Sequence, residues 1–264
     1  MSLDINLFLK NEKYEKVRAI MLDPTHKFII IDGIIGAGKT TLISKIESTM
    51  GMKNNSTIKV KAIYEPVELW NSTGALQYFY KDITKNCYEF QTYTYITRIN
   101  TIIDEIYNCP DADVYILERS IFTDRYIFME LLRDIVGEMR MTMYEQWCDI
   151  WAYIMPITPN KWVLLNTSLE TSLKRIESRN RDGETNGISV EYQTNLYNKH
   201  IEFYEKLKKD GKPVVIIDSE TMDIDFLKKD NDGNDGNDCI DGNDGNNGNY
   251  THAKFESIIS QIIH

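Results

Sequence analysis

The sequence contains little cysteine and no closely spaced pair of cysteines. Its four cysteines are far apart, at Cys87, Cys109, Cys148 and Cys239. Without a C-x-x-C pair, neither a disulfide framework nor a zinc site is indicated, and reduced structural thiols are expected. No apolar run approaches the roughly 18 residues of a membrane span. The first residues, MSLDIN, also lack the cationic start and apolar core of a secretion signal. These absences predict a cytoplasmic protein.

Positive charge is also scarce. The chain has 30 Lys and Arg against 40 Asp and Glu, a formal net charge of −10 over 264 residues. Six of the aspartates fall in residues 230–249, which hold no basic residue, so the rest of the chain carries −4. A mildly acidic body argues against a surface that binds nucleic-acid phosphates. It is compatible with a small basic pocket.

Residues 230–249 differ in composition from the rest of the chain. Seven Asn, six Asp and five Gly fill eighteen of these twenty positions, so the segment has too little apolar surface to order itself and is expected to be a disordered insertion. A calcium loop is disfavoured, because no window combines Asp or Asn at positions one, three and five with Gly at six and Glu at twelve. Beyond it, the apolar spacing in residues 255–263 predicts a terminal helix over 250–264.

Short apolar runs alternate with helical periodicity along the remaining chain. The strand candidates are Phe28–Asp32, Ile58–Ile63, Val114–Glu118, Trp162–Asn166 and Val214–Asp218. The helix candidates are 39–50, 86–107, 122–136, 142–155, 168–179 and 189–209. This alternation predicts an α/β fold with a five-stranded parallel sheet, helices on both of its faces, and ligands at the carboxyl ends of the strands.

The first predicted strand runs directly into a glycine-rich segment. Its sequence is Gly33-Ile34-Ile35-Gly36-Ala37-Gly38-Lys39-Thr40-Thr41, which matches G-x-x-x-x-G-K-[ST] at every fixed position and leads into a helical pattern. Glycines allow backbone N–H groups to face an anion, the lysine reaches the β- and γ-phosphates, and the hydroxyl of Thr40 ligates Mg²⁺. The segment therefore predicts a nucleoside triphosphate site, in preference to a fortuitous glycine turn.

Two further features narrow the class of P-loop protein. A guanine-specific switch protein would carry N-K-x-D, but the two Asn-Lys dipeptides, at Asn160 and Asn198, are not followed by that Asp. A GTPase is therefore disfavoured. The late strand candidate ends in Asp218, but a buried final strand that runs into a loop explains this position better than a metal-binding acid, so Asp218 is left out of the site.

Acidic residues follow two other predicted strands. Glu65 precedes Pro66, which restricts the direction of the chain, and a carboxylate there is placed to accept a proton from a hydroxyl near the γ-phosphate. The third strand ends in Glu118-Arg119, where Arg119 could orient that base and Glu118 could hold Mg²⁺. The plainer alternatives are a solvated loop acid and a weak surface ion pair.

The helix candidate 86–107 carries a polar face beside an apolar stripe. The stripe comprises Tyr93, Ile96, Ile99, Ile103 and Ile106. Gln91, Thr94 and Arg98 share the neighbouring face at i, i+3 and i+7. Gln91 can both donate to and accept from a nucleobase edge, and Arg98 could pair with Asp124. A solvated helix face is the alternative. The candidate stacking residues are Trp70, Tyr80 and Phe90, which could equally be core aromatics.

Arginines cluster at the end of the helix candidate 168–179. Arg175 and Arg179 lie at i and i+4, and Arg181 follows in a glycine-punctuated loop. Such a set is typical of a lid that closes over phosphates and supplies positive charge during phosphoryl transfer. A basic solvated face is the alternative.

Five segments in this order resemble the deoxynucleoside kinase family, most closely its deoxycytidine, deoxyguanosine and deoxyadenosine kinase branch. They are GIIGAGKTT, YEPVELW, FQTYTYITR, ERSIFTDRYIF and RIESRNRDGE. The likeness extends from about Lys27 to Asp218, and FQTY-x-x-x-x-R and ERS-x-x-x-DRY are its most specific parts. The resemblance implies a P-loop kinase fold with an arginine-rich lid, acting with ATP and Mg²⁺ on a 2′-deoxyribonucleoside.

The resemblance also implies catalytic roles. Glu65 would be the general base for the sugar 5′-hydroxyl with Arg119 as its partner, while Lys39 would hold the transferred phosphate. The family implies a homodimer, with the helices at 86–107 and 122–155 as the contact. A nucleoside monophosphate kinase remains an alternative, as does a catalytically silent nucleotide-binding protein, although the presence of all three residues speaks against the latter.

Substrate contacts follow from the same resemblance. Gln91 would read the base, and Arg98 with Asp124 is the pair associated with cytosine, adenine or guanine rather than thymine. Tyr80 would contact the sugar 3′-hydroxyl. Glu184, in the lid, would also contact it, provided that the loop is one residue shorter than in the family. The expected organisation is a helical extension over 1–26, a kinase domain over 27–229 with its lid at 175–187, the insertion over 230–249, and the helix over 250–264.

Overall fold

A five-stranded, all-parallel sheet forms the centre of the structure, a computed structural model that describes residues 12–52, 58–179, 188–221 and 245–263. The strands are β1 (Lys27–Asp32), β2 (Val60–Ile63), β3 (Val114–Glu118), β4 (Lys161–Asn166) and β5 (Val214–Asp218). Their order across the sheet is β2-β3-β1-β4-β5. The predicted α/β fold with five parallel strands is confirmed.

Helices connect the strands and cover the sheet. In chain order they are α1 (Glu12–Leu22), α2 (Lys39–Met52), α3 (Val67–Ser72), α4 (Ala75–Lys81), α5 (Ile83–Asn108), α6 (Ile121–Thr123), a π-helix (Asp124–Met129), α7 (Arg133–Val136), α8 (Glu138–Ile154), α9 (Leu169–Arg179), α10 (Val190–Lys209), a 3-10 turn (Ser219–Thr221) and α11 (Gly245–Ile263). In the described part of the chain, none of the helices has the length and apolar character that crossing a bilayer requires.

The central strand shows why both faces of the sheet are covered. In β1, Ile29 and Ile31 belong to one hydrophobic cluster and Phe28 and Ile30 to another, and all four side chains are buried. Neighbouring residues of a strand point to opposite faces, so a run of apolar residues needs packing on both sides. Buried residues of α1, α5 and α8 lie in the Phe28 cluster, and those of α2, α9 and α11 lie in the Ile29 cluster.

The strand register brings the loops after β1, β2 and β3 to one edge. Ile31 of β1 pairs with Glu118 of β3, so these two strands end at the same level. Ile63 of β2 pairs with Leu117 of β3, which places Glu65 level with Arg119 two residues further on. The carboxyl edge of a parallel sheet is where α/β proteins bind ligands.

Several elements differ from the sequence prediction. The helix expected over 122–136 is interrupted by the π-helix Asp124–Met129, a local change that often marks functional sites. Helices α3 and α4 were not predicted. On α5, Ile96 is exposed, whereas Gln91, Thr94 and Arg98 are buried, so the polar face points inward and is not solvated.

Four predictions concern the terminal helix, the lid, the insertion and the cysteines, some of which lie outside the described residues. The expected terminal helix lies within α11, which begins at Gly245. Arg181 and Glu184 of the expected lid lie outside the described residues, as does 230–244 of the expected insertion. Cys87, Cys109 and Cys148 are free thiols. Cys239 lies outside the described residues.

Candidate active site

The glycine-rich segment forms a tight loop between β1 and α2. Gly36 has a φ of 77° and Gly38 a φ of 94°, both in the region that side-chain-bearing residues rarely adopt. A Cβ on Gly36 would also lie 2.6 Å from the carbonyl oxygen of Ser172. Only glycine therefore fits this position, where the loop passes directly over α9. The loop opens onto the N-terminus of α2, an arrangement that binds anions.

Lys39 is folded back onto the loop that precedes it. Its Nζ donates to the carbonyl oxygens of Gly33 and Ile34, both at 3.2 Å, and its side chain is buried. Burial, with a further contribution from the positive charge of Arg119, lowers the pKa of Lys39 to about 7. An anion in the loop would favour the charged form and draw the ammonium group toward it.

A buried acid–arginine cluster lies beside the loop. Arg119 donates to both carboxylate oxygens of Glu65, at 3.0 and 2.7 Å, and Arg98 donates to Glu65 Oε1 at 2.8 Å. Arg98 also holds Asp124 through two hydrogen bonds, of 2.7 and 3.1 Å. All four residues line one cavity.

The cluster determines the charge of Glu65. Burial by itself raises the pKa of this carboxyl, but the opposing charges of Arg119, Arg98 and Lys39 outweigh burial and hold the pKa well below its usual range. Glu65 is therefore a carboxylate at every working pH. The two plainer alternatives, a solvated loop acid at Glu65 and a surface ion pair at Glu118-Arg119, are excluded, because these side chains are buried.

Arg119 occupies a strained backbone position. Its φ of 58° lies in the left-handed region, where, among the described residues, no other non-glycine residue lies. Its N–H donates to Ile31 O at 3.0 Å, and its side chain lies over the Phe128 ring with the guanidinium carbon 4.9 Å from the ring centre. Strain of this kind persists only where the surroundings enforce it.

The turn after Arg119 is tied to the end of β1. Ser120 and Thr123 form a capping box at the start of α6, and the Thr123 hydroxyl donates to Asp32 Oδ1 at 2.7 Å. Asp32 is fully buried and accepts a second hydrogen bond, of 2.9 Å, from the Tyr204 hydroxyl. The two strands that carry the loop and Arg119 are thereby fixed to each other through a buried carboxylate.

Oxygen ligands suited to Mg²⁺ lie at the start of α2. The Thr40 hydroxyl donates to Glu118 Oε1 at 2.7 Å. Burial, and then repulsion by Glu65, raise the pKa of Glu118, which a bound cation would reverse. Mg²⁺ is usually held by one or two protein oxygens together with substrate phosphates and water, so the pair fits this ion. No cluster of three or more His, Cys, Asp or Glu residues that could hold a metal occurs within the described ranges.

The cavity beside the cluster has a volume of about 480 Å³, of the size that small-molecule sites have. Of the predicted substrate residues it is lined by Glu65, Trp70, Tyr80, Gln91, Arg98, Arg119 and Asp124, together with Phe90. Phe79 and Phe90 stack with ring centres 4.4 Å apart, and Trp70 donates from Nε1 to Thr97 Oγ1 at 2.9 Å. These contacts hold Trp70, Phe79 and Phe90 in place as an aromatic wall of the cavity.

Gln91 is the polar group of this wall. Its side chain is 3% exposed and forms no hydrogen bond to the described residues. It also lines the cavity. Its amide is therefore available to a ligand that both donates and accepts hydrogen bonds.

The two described arginines that were predicted to bind phosphate lie next to the glycine loop. Arg175 and Arg179 line the same cavity. Arg175 NH1 donates to Gly36 O at 3.3 Å and to Ala37 O at 3.2 Å. Arg175 thus contacts the loop through two of its backbone carbonyls.

Several cavity residues were missed by the sequence patterns. They are Tyr64, Leu76, Phe79, Phe128, Ser178 and Tyr192. Leu76 and Phe79 belong to the unpredicted α4, where their i, i+3 spacing beside Tyr80 was the only available signal. Tyr192 lies on the first turn of α10, and no local pattern marks it.

A glycine-rich anion loop at the end of β1, together with a buried carboxylate–arginine cluster and an adjoining cavity of small-molecule size, defines a P-loop phosphotransferase. A family model described as deoxynucleoside kinase matches residues 29–235. The chain belongs to the deoxynucleoside kinase family.

Individual relatives agree with this assignment. The chain is 35% identical over 178 residues to a probable deoxycytidine kinase of fowlpox virus, covering 67% of this chain and 71% of that protein. It is 30% identical over 190 residues to deoxyadenosine kinase of Dictyostelium discoideum, covering 71% and 70%. The structure of deoxyadenosine kinase from M. mycoides with bound dCTP superposes with a TM-score of 0.59 at 25% identity, covering 76% of this chain and 95% of that one.

Proposed function

We propose that the protein transfers the γ-phosphoryl group of ATP, with Mg²⁺, to the 5′-hydroxyl of a 2′-deoxyribonucleoside that carries cytosine, adenine or guanine. The observation that carries the proposal is the position of Glu65. Its carboxylate is held by Arg119 at 2.7 Å and by Arg98 at 2.8 Å, in a cavity that it shares with the glycine loop and Gln91. A hydroxyl that binds to Glu65 is thus adjacent to a phosphate that binds to the loop.

Glu65 acts as the general base. It is ionised before the nucleoside binds, because the two guanidinium groups keep its pKa low. It accepts the proton of the 5′-hydroxyl as that oxygen bonds to the γ-phosphorus and the bond from this phosphorus to the bridging oxygen of ADP breaks, so that ADP leaves. Arg119 keeps the carboxylate in place during this transfer. Most of the rate enhancement comes from positioning and charge stabilisation, as in other phosphoryl transfers.

The donor is held by the loop and by positive side chains. The backbone N–H groups of Gly33–Thr41 and the ammonium group of Lys39 bind the phosphates. Thr40 and Glu118 hold Mg²⁺, which when bound neutralises charge on the phosphate oxygens. Arg175 and Arg179, with Arg181, add positive charge at the transferred group.

The base is selected by Gln91 with the Arg98–Asp124 pair. Asp124 is an acceptor only and both of its oxygens already face Arg98. Cytosine and adenine present an exocyclic amino donor where thymine presents a carbonyl acceptor, so a fixed carboxylate favours cytosine and adenine over thymine. Guanine presents a carbonyl at that edge, and its partners would be the donor groups of Arg98 and Gln91. Trp70 and Tyr80 pack against the sugar, and Tyr80 binds its 3′-hydroxyl.

A steady-state assay with ATP and each of deoxycytidine, deoxyadenosine, deoxyguanosine and thymidine tests the proposal. We expect turnover of one or more of the first three and a lower kcat/KM for thymidine. The corresponding monophosphates are assayed in parallel. Preference for thymidine would overturn the assigned base selection. Turnover of monophosphates alone would indicate a nucleoside monophosphate kinase, and no ATP consumption with any acceptor would indicate a silent nucleotide-binding protein.

The same proposal includes a homodimer. Helix α8 carries an exposed apolar stripe comprising Met139, Met143, Trp147, Ile150 and Tyr153, of which Tyr153 is 78% and Trp147 55% exposed. The spacing of these residues is helical, so they lie along one side of α8. Ile96 of α5 adds to the exposed apolar surface. Contiguous apolar surface of this kind marks an interface, and a second copy of the chain is the occupant that the family implies.

A further inference from the structure

The glycine loop is held from behind by two buried side chains that have no place in the proposed chemistry. The carbonyl oxygen of Ile35 accepts a hydrogen bond of 2.8 Å from Ser172 Oγ and another of 2.7 Å from Gln193 Nε2. Gln193 also donates to Ser172 Oγ at 2.5 Å. Both side chains are completely buried. The carbonyl therefore uses both of its lone pairs on partners that cannot move into solvent.

The orientation of this carbonyl determines the orientation of the next N–H. A trans peptide is planar, with its C=O and N–H pointing in opposite directions, and the described chain contains no cis peptide. Because Ile35 C=O points toward Ser172 and Gln193, the N–H of Gly36 points away from them. Gly36 lines the cavity, and its N–H has no acceptor among the described residues.

We infer that Ser172 and Gln193 are positioning residues for the phosphate donor. They hold the Ile35–Gly36 peptide so that the Gly36 N–H faces the donor phosphates before the donor binds. Without them the peptide could rotate, as Gly36 has no side chain to oppose the rotation. The flipped peptide would present the Ile35 carbonyl oxygen to the phosphates and repel them. This inference rests on the proposed function, since it assumes a triphosphate in the loop.

The two side chains come from different helices, which explains the rigidity of the arrangement. Ser172 lies on α9 and Gln193 on α10. The backbone carbonyl oxygen of Ser172 also lies so close to Gly36 that a Cβ there would be 2.6 Å from it. The next two carbonyls are also held, because Arg175 donates to Gly36 O and Ala37 O and the Thr167 hydroxyl donates to Ala37 O. Three successive carbonyls of the loop therefore accept side-chain hydrogen bonds, and the two to Ile35 O are the shortest.

The test compares Ser172→Ala and Gln193→Met with wild type. The first removes one buried hydroxyl, and the second keeps the length of the side chain but removes its donor. Dissociation constants for ATP with Mg²⁺ and for deoxycytidine are measured separately by calorimetry. We expect the Kd of ATP to rise about tenfold in each variant, the effect of weakening one hydrogen bond to a charged ligand, while the Kd of deoxycytidine stays within about twofold of wild type.

The matched control is Thr194→Ala, which removes from the next residue of α10 a half-buried hydroxyl that donates only to Val190 O within its own helix and should change neither constant. An unchanged Kd for ATP in both variants, with only a lower Tm, would show that Ser172 and Gln193 are structural and would overturn the inference. An equal rise in both constants would also overturn it, because it would indicate general loosening of the site. Failure of the wild-type protein to bind ATP would instead overturn the proposed function, and the inference with it.

Discussion

Replacement of Glu65 by Gln tests the centre of the proposed mechanism. The amide keeps the size of the side chain but cannot accept the proton of the 5′-hydroxyl at neutral pH. Loss of a general base costs about 10²- to 10⁴-fold, so kcat should fall by that factor. The Kd of ATP should change little, because the hydrogen bonds of Glu65 among the described residues go to Arg98 and Arg119 and not to the glycine loop.

The same substitution should also reduce stability. Glu65 is ionised and buried between two guanidinium groups, and removing one partner of a buried pair costs roughly 3–5 kcal/mol. Arg98 keeps Asp124 as a partner, so the lower end, about 3 kcal/mol, is expected, or roughly 6–12 °C in Tm. Since folding lowers the pKa of Glu65, its contribution is complete at neutral pH and is lost as the pH falls through the folded-state pKa. The variant should therefore lose stability less steeply in acid.

The assay is steady-state turnover with ATP and the preferred nucleoside, accompanied by thermal unfolding at several pH values. Glu68→Gln is the matched control, because Glu68 also lines the cavity but is exposed and has no arginine partner among the described ion pairs. It should retain wild-type kcat and Tm. A folded Glu65→Gln protein with wild-type kcat would refute the role of this residue as base.

Three further outcomes are expected. The pKa of Lys39 is about 7 in the free protein, so its side chain is charged below pH 7. Above pH 7 it must gain a proton when ATP binds, and the Kd of ATP should therefore rise up to about tenfold per pH unit. Calorimetry in buffers of different ionisation enthalpy would measure that proton uptake, and none at pH 8 would contradict the assignment. Thr123→Val releases the Arg119 turn from Asp32 and should lower kcat about 10- to 100-fold, with Thr123→Ser close to wild type. Tyr204→Phe, which leaves that tie intact, should lower Tm alone, and equal kcat losses in Thr123→Val and Tyr204→Phe would count against a positioning role. Trp147→Glu should yield a monomer by sedimentation, and a wild-type monomer or a dimeric variant would exclude the α8 stripe as the interface.

Periodicity and local motifs predicted the main elements. The bounds of β3 and β5 are those expected, and the other three strands differ by one or two residues. The short helices α3 and α4 have six and seven residues, too few turns for a period to emerge. The interruption of the expected helix 122–136 was also missed. The pairing of Asp124 with Arg98 was predicted, but its burial depends on how α5 packs against this turn, which no local pattern shows.

The sequence by itself determined the glycine loop, because its chemistry is local. Residues 33–41 are contiguous, and their types decide which backbone conformations are accessible. The motifs and the family resemblance also identified Glu65, Arg98, Arg119 and Asp124 as site residues. Only the tertiary structure decided that Arg98 contacts Glu65 as well as Asp124 and that the whole cluster is buried. The pairing of β2 with β3 puts Glu65 and Arg119 side by side, and the packing of α9 and α10 brings Ser172 and Gln193 to Ile35. Contacts of this kind depend on how distant segments pack, and no local pattern specifies that.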